Sequence, residues 1–221
     1  MPTESPQPVI RGTQKPRSAS SQKILRASKD LFLESGYDGV NLDLIAKRAG
    51  VARQTVYNLF GSKEAVFRAT MEYHWAAFGL DDIEASLDRD YSDPAGFLRH
   101  FAATILDFIN EKDQVAFTRL VISESRKLPW VSADFYRLGK APLAEMFSRC
   151  LNEMTDSGAL SCPHPDLAAR QFLGLIQEFA IWPHVMAIGE AIKNLPPIEL
   201  VVEEAVAMFL SRYQAEQPGK R

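Results

Sequence analysis

Cysteine is scarce: the chain has two, Cys150 and Cys162, in 221 residues. That is too few for a disulfide framework at this size, so the fold must rest on a hydrophobic core. The pair reads as two reduced thiols, with a redox-sensing pair as the alternative. No run of 18 or more apolar residues occurs, which argues against a membrane-spanning helix. The opening MPTESPQPVIRGTQKPRSASS lacks the apolar stretch of a secretory signal and is rich in Pro, Ser and basic residues. Residues 1–19 are therefore expected to form a disordered basic arm on a cytoplasmic protein. His100, His164 and His184 are far apart, and Cys162 with His164 makes a single Cys-x-His pair without a second ligand pair. A nucleophile elbow, a phosphate-cradling glycine loop and an acid–base pair at informative spacing are missing too. No enzyme, metal site or cofactor is expected.

What is present is ordinary in bulk and uneven in charge. Hydrophobic residues make up 46% and charged residues 24% of the chain, a composition that folds. The net charge of −3 conceals a split: residues 1–68 carry 11 Lys and Arg against 6 Asp and Glu, a net of +5, and residues 69–221 carry 14 against 22, a net of −8. A basic module joined to an acidic one points to a polyanionic partner for the first module alone.

The periodicity is helical throughout, which predicts an all-α protein. Ile24, Leu25, Leu31 and Phe32 recur at helical spacing from about residue 20 to Ser35, and Gly36 is expected to be a left-handed C-terminal cap. Asn41 is a good N-cap for LDLIAKRA, which ends at Gly50. A third short helix runs from about Arg53 to Phe60, with Val56 and Phe60 inward and Ala52 standing where a capping Ser or Thr is usual. Ser62 caps a fourth helix reaching about Phe78. Beyond a polar linker, DDIEASLDRDYSD, helices are expected at Pro94–Asn110, about 113–127, about 132–155, from Asp166 as cap to about Gly189, and from Pro196-Pro197 to Tyr213. The tail 216–221 is expected to fray.

Three short helices, the last two joined by a Gly-containing turn, make a helix-turn-helix whose last helix leaves a polar outer face for a DNA major groove. The segment GYDGVNLDLIAKRAGVARQTVYNLFGSKEAVF resembles the DNA-binding domain of the TetR family of bacterial transcriptional regulators. The likeness rests on the Gly-aromatic start, the Ile-Ala-x-x-Ala-Gly-Val core, the Thr-x-Tyr-x-x-Phe recognition helix and the Ser-Lys-Glu entry to the fourth helix, over roughly residues 20–68. Arg53, Gln54 and Thr55 fall where side chains reach base edges. Tyr57, Lys63 and Asn58 fall where the family holds backbone phosphates, and Asn41 is the expected backbone contact from the second helix. The chain departs from the family at Ala52, at Leu59 where His is frequent, and at Val40 where Thr is common. The arm, with Arg11, Lys15 and Arg17, either reaches a minor groove or is an idle tail.

FTRLVISESRKLP and DLAARQFLGLI resemble the C-terminal domain of the AefR-like subgroup. The resemblance implies that residues 69–215 form a larger helical domain that binds a small-molecule effector and dimerises through the last two helices. It also implies a double-stranded DNA operator as partner and a ligand-released repressor as function. A DNA-binding architectural protein without an effector is the alternative, and an enzyme on the same helices a more distant one. Of the many aromatics, a minority, with Phe101 and Trp182 as candidates, are expected to line a cavity. Arg119, Gln171 and Glu178 lie on otherwise apolar stripes and need polar partners, either another side chain or the effector. Ala168, Ala169, Gly174 and Ala180 on one helix, and Val201, Val202, Ala205, Met208 and Phe209 on the last, are the expected dimer surface, with a purely core role for the second stripe as the alternative.

Overall fold

A computed structural model describes residues 18–77, 79–80, 83–84, 91–110, 113–188 and 193–215. The basic arm and the C-terminal tail lie outside these residues, as does Phe78. The helices are α1 (Ala19–Ser35), α2 (Leu42–Ala49), α3 (Arg53–Phe60), α4 (Lys63–Ala76), α5 (Pro94–Asn110), α6 (Gln114–Ser125), α7 (Pro129–Phe135), α8 (Ala141–Asp156), α9 (Pro165–Ala180), α10 (Trp182–Val185) and α11 (Ile198–Tyr213). A π-helical turn, Tyr136–Lys140, joins α7 to α8. A single isolated β-bridge, Leu160 to Gln214, pins the end of α11 to the turn after α8.

Local chemistry sets the first four helices. Ser18, Asn41 and Ser62 accept hydrogen bonds from the backbone N–H groups of Ser21, Leu44 and Ala65 at 3.2, 2.9 and 3.1 Å, each satisfying a donor the helix start leaves open. Ala52 has no such bond to offer, and α3 begins without a side-chain cap. Gly50 takes the left-handed conformation, φ 66 and ψ 37, that lets the chain leave α2 and turn sharply into α3. Gly36 also has positive φ, but with ψ −179 it runs out extended rather than closing a left-handed cap. A Cβ there would lie 3.0 Å from a Glu124 carboxylate oxygen.

One continuous core runs along α4. Ile24, Phe32, Ile45, Val56, Val66 and Phe67 are sealed among α1 to α4, with Phe67 edge-on to Phe32 at 4.6 Å. In the larger domain, Phe101 stacks on Phe147 at 4.0 Å, and the aromatic chain continues through Phe172 to Phe209 and Tyr213.

Several boundaries differ from expectation. The helix expected at 132–155 starts earlier, at Pro129, whose missing N–H costs nothing in a first turn. Asp166 does not cap α9: it sits inside the first turn and accepts the Ser148 hydroxyl instead. The long helix expected to reach Gly189 stops at Ala180, because Pro183 has no N–H for the ladder and clashes with the preceding turn. Ala168, Ala169, Val201, Ala205 and Phe209, expected on the dimer surface, are buried inside the protomer, whereas Leu167, Leu200 and Met208 are more than half exposed.

Gly139, in the π-turn, is buried against the Trp75 indole, and a Cβ at this position would come within 2.2 Å of the ring. Gly139→Ala should therefore cost about 1–3 kcal/mol, seen as a lower urea midpoint together with a shifted tryptophan emission. An unchanged midpoint would mean that the indole is free to move. Ala52→Ser should supply the missing cap of α3 and raise stability by about 0.5–2 kcal/mol, read as a higher thermal midpoint and slower amide exchange in the first turn of that helix.

Candidate DNA-facing helix and effector cavity

Helix α3 presents its polar side outward because Val56 is fully buried and Phe60 is half-buried beneath it. Arg53, Gln54, Tyr57 and Asn58 are exposed, Thr55 is partly covered, and Tyr57 is 58% exposed, an unusual surface for a phenol without a partner face. The residues are organised among themselves. Gln54 Nε2 donates to Asn58 Oδ1 at 2.7 Å, one turn along the helix, and Arg53 Nε lies 3.1 Å from Asp43 Oδ1 of α2. Lys63 Nζ donates to the Tyr37 carbonyl at 3.0 Å and lies 4.2 Å from the Tyr37 ring centroid. Asn41 spends its side-chain oxygen on the α2 cap. Arg48 grips Glu34 through two parallel hydrogen bonds of 3.0 and 2.9 Å, fixing α2 on α1. The arm residues Arg11, Lys15 and Arg17 lie outside the described residues.

A second feature lies at the far end of α4. A cavity of about 400 Å³ is enclosed by helices α4 to α10. Its wall is mostly apolar, with Trp75 from α4, Ile105 and Phe108 from α5, Val121 from α6, Phe135 from α7 and Leu143 from α8. Polar groups converge on it from Gln114, Thr118 and Ser125 on α6, Ser132 on α7, Gln177 on α9 and Lys140 on the π-turn. Ile122 and Tyr136 line the cavity yet are about half exposed, so they mark its open side. The size falls within the roughly 300–1,000 Å³ typical of small-molecule sites.

The cavity and α3 are joined through α4. His74, one residue before the lining Trp75, is 4% exposed, hydrogen-bonded at 2.7 Å to Gln114 Oε1, and stacked on Phe117 with centroids 3.9 Å apart. Burial, only partly opposed by the Gln114 hydrogen bond, lowers the His74 pKa to about 4. Arg68 lies over the Trp130 ring and pairs with Asp134 of α7, which also binds Arg137 at 3.0 Å. Buried Glu124, at the end of α6, accepts the Tyr37 backbone N–H at 3.2 Å, and Lys127 meets Asp38 at 2.9 Å. The corner after α1 is thereby clamped to the larger domain.

Residues 24–70 match the profile of bacterial regulatory proteins of the tetR family, and residues 96–215 match that of the AefR-like transcriptional repressor C-terminal domain. The chain belongs to the TetR family. This TetR-family chain is similar to the transcriptional repressor NicS of Pseudomonas putida, 34% identical over 85 residues, 38% of this chain and 39% of that protein. It is also similar to the transcriptional activator FasR of Mycolicibacterium smegmatis, 29% identical over 107 residues and 47% of each chain. These matches span less than half the length of either relative. Among solved structures, the flavonoid-responsive regulator FrrA aligns with a TM-score of 0.72 at 28% identity, covering 90% of this chain and 98% of that one. A TetR-family regulator from Pseudomonas syringae pv. tomato aligns at 0.67 and 26%, covering 87% and 96%.

The residues expected at a TetR-family effector site divide sharply. Trp182 lines the cavity. Phe101 is fully buried in the aromatic stack, away from the lining. Arg119, Gln171 and Glu178 do not line it either, and all three are exposed. Arg119 has its polar partners elsewhere: it caps the C-terminal carbonyls of α10, its Nε donating to the Val185 oxygen at 2.9 Å and its Nη2 to that of His184. Gln171 Oε1 accepts the Tyr213 hydroxyl at 3.2 Å. The lining was signalled more quietly by Gln114, Thr118 and Ser125, small polar residues at helical spacing with Val121 and Ile122 between them. Cys150 and Cys162 are both buried free thiols, and burial pushes the Cys162 thiol up, away from the reactive thiolate.

His74 also makes the protein acid-sensitive. Its pKa of about 4 in the fold lies below the ordinary 6.5, so between those values the unfolded chain takes up a proton that the folded chain refuses. Stability is then lost as pH falls through that window, by about 2–3 kcal/mol at its lower end. Denaturation of the wild type and His74→Gln at pH 7 and pH 4.5 should show a smaller acid loss in the variant; equal losses would mean that His74 is not held neutral.

Proposed function

We propose that the protein is a ligand-responsive transcriptional repressor that binds a near-palindromic operator as a homodimer and is released when a small molecule occupies the cavity at the end of α4. The observation that carries this reading is the span of α4 itself. Ser62 caps its first turn, Val66 and Phe67 are buried there with Phe67 edge-on to Phe32 of α1, and Trp75 forms part of the cavity wall at its other end. A molecule that touches Trp75 or Gln114 acts on the helix that orients the DNA-facing surface, and Gln114 bears on α4 through His74.

Dimerisation through α9 and α11 fits the exposure of Leu167, Leu200 and Met208 on those two helices and the open space around Gly174. Two copies of α3 one DNA turn apart, roughly 34–36 Å, would read two half-sites. The effector can shift the dimer away from that spacing only by as much as its affinity differs between the two conformations. The apolar cavity favours this reading over an architectural protein without an effector. Selection of bound sequences from random DNA, followed by a ligand screen on the selected site, tests it; equal operator affinity with and without every molecule found to bind would remove the ligand-responsive part.

Within the DNA contact, Arg53, Gln54 and Thr55 read bases, and Asn41, Tyr57, Asn58 and Lys63 position the backbone. Gln54→Ala and Thr55→Ala should each weaken binding to the selected site by about 1–3 kcal/mol while leaving a scrambled duplex nearly unaffected. Lys63→Ala should weaken both and reduce the salt slope by about 1. Fluorescence anisotropy against both duplexes separates the two patterns, and equal losses for Gln54→Ala would overturn its role as a base reader.

A further inference from the structure

We infer that the molecule that fits this cavity is a compact apolar organic anion, its negatively charged group paired with Lys140 and its hydrocarbon body held against Trp75, Phe108 and Phe135. The inference rests on the reading of the cavity as the effector site and adds the chemical class. Among the described residues that line the cavity, Lys140 alone carries a formal charge, and none is Asp or Glu. Lys140 has no carboxylate partner among the described residues, and its Nζ lies 5.9 Å from the centroid of the Trp182 ring. The π-turn sets it on the cavity wall at the edge where Tyr136 marks the open side.

Lys140 is exposed at the mouth of a mostly apolar wall, so its ammonium is hydrated from the solvent side and can gain a polar partner on the cavity side only from a ligand. A neutral ligand that covers its cavity side displaces part of that water and returns no hydrogen bond, a partial desolvation cost. A carboxylate, sulfonate or phenolate replaces it with a charge-assisted hydrogen bond, and the Trp182 face adds attraction for the cation. The surrounding protein already lowers the Lys140 pKa by desolvation, a penalty that a bound anion offsets. The neutral Gln114, Thr118 and Gln177 are suited to orienting the ligand and supply no competing charge. A cationic ligand would meet Lys140 with no acid to hold it.

Two fluorescent probes that differ by one charged group test this in the full chain: 8-anilinonaphthalene-1-sulfonate and the uncharged N-phenyl-1-naphthylamine. The wild type should bind the sulfonate about tenfold or more tightly than the neutral probe. Lys140→Met should erase that preference while changing the neutral probe's affinity less than about twofold, and Lys140→Arg should retain it. Equal wild-type affinities, or a preference that survives Lys140→Met, would overturn the inference. Thr118→Trp, which fills the cavity, should block both probes. If it blocks the neutral probe and the sulfonate is not preferred, the effector cavity stands and the charge assignment falls. If neither probe saturates, or the plug changes neither affinity, the cavity is not a ligand site and both readings fail together.

Discussion

The structure depends on α4 being packed from end to end into one continuous core. Its first half is buried with Val66 and Phe67 under the helix-turn-helix, and its second half with Met71, His74 and Trp75 under the larger domain. A 14-residue helix is about 21 Å long and close to rigid over that length. Whatever displaces its C-terminal turn must tilt or translate its N-terminal one, because well-packed interiors transmit strain rather than absorb it. The Glu124 clamp on the Tyr37 N–H and the Lys127–Asp38 pair provide a second connection, from the end of α6 to the corner after α1. With the Lys29–Asp113 pair at 2.8 Å, these connections tie the first helices to the helices around the cavity.

The cavity is where the fold gives up stability. Filling it with side chains would gain buried apolar area, as a volume of about 400 Å³ left unpacked forgoes many dispersion contacts. It is bordered by features that break local rules: the π-turn at Tyr136–Lys140, a buried Gly139 that admits the Trp75 indole, and Pro183, beside which α9 gives way to α10 and its lining Trp182. Local violations of this kind concentrate at functional sites. Buried His74, neutral and partnered by Gln114, belongs with them: a polar pair has been placed in a core where two apolar side chains would pack as well.

The sequence made the helix-turn-helix legible because its information there is local. The caps Asn41 and Ser62, the stop of α2 at Gly50 and the inward Val56 are each decided within a few residues, and the structure has them as read, whereas Gly36 is not the left-handed cap expected of it. The uncapped Ala52 was equally visible. The cavity was not legible, since its wall is assembled from seven helices, and no local pattern distinguishes an aromatic that fills a core from one that faces a void. Phe101 and Trp182 look alike in sequence, yet one is stacked on Phe147 and the other lines the cavity. Arg119, Gln171 and Glu178 misled for a related reason: a polar residue in an apolar stretch was read as buried, whereas each sits on the exposed strip of its helix. Lys140 escaped notice because it lies on a π-turn, which rotates side chains away from the positions that 3.6-residue periodicity assigns.

The polar face of α3 is already occupied in the free protein, and this bears on how it could discriminate among sequences. Gln54 holds Asn58 and Arg53 holds Asp43, so in the proposed DNA-reading role contact with DNA would be an exchange of partners rather than a simple gain. Both pairs are exposed, where such interactions are worth roughly 0–1 kcal/mol, and breaking them costs little. On that proposal the exchange would be repaid in full only where base edges match the amide and guanidinium donors, turning a modest free-state cost into a penalty on wrong sequences. Lys63 stands differently. Its ammonium is partly buried against Tyr37 and donates one of its three N–H groups to the Tyr37 carbonyl, leaving two for a phosphate without leaving its place. A positioning contact made in this way also ties the phosphate to the corner that Glu124 clamps, so the backbone contact and the larger domain's grip on the DNA-facing unit meet at Tyr37.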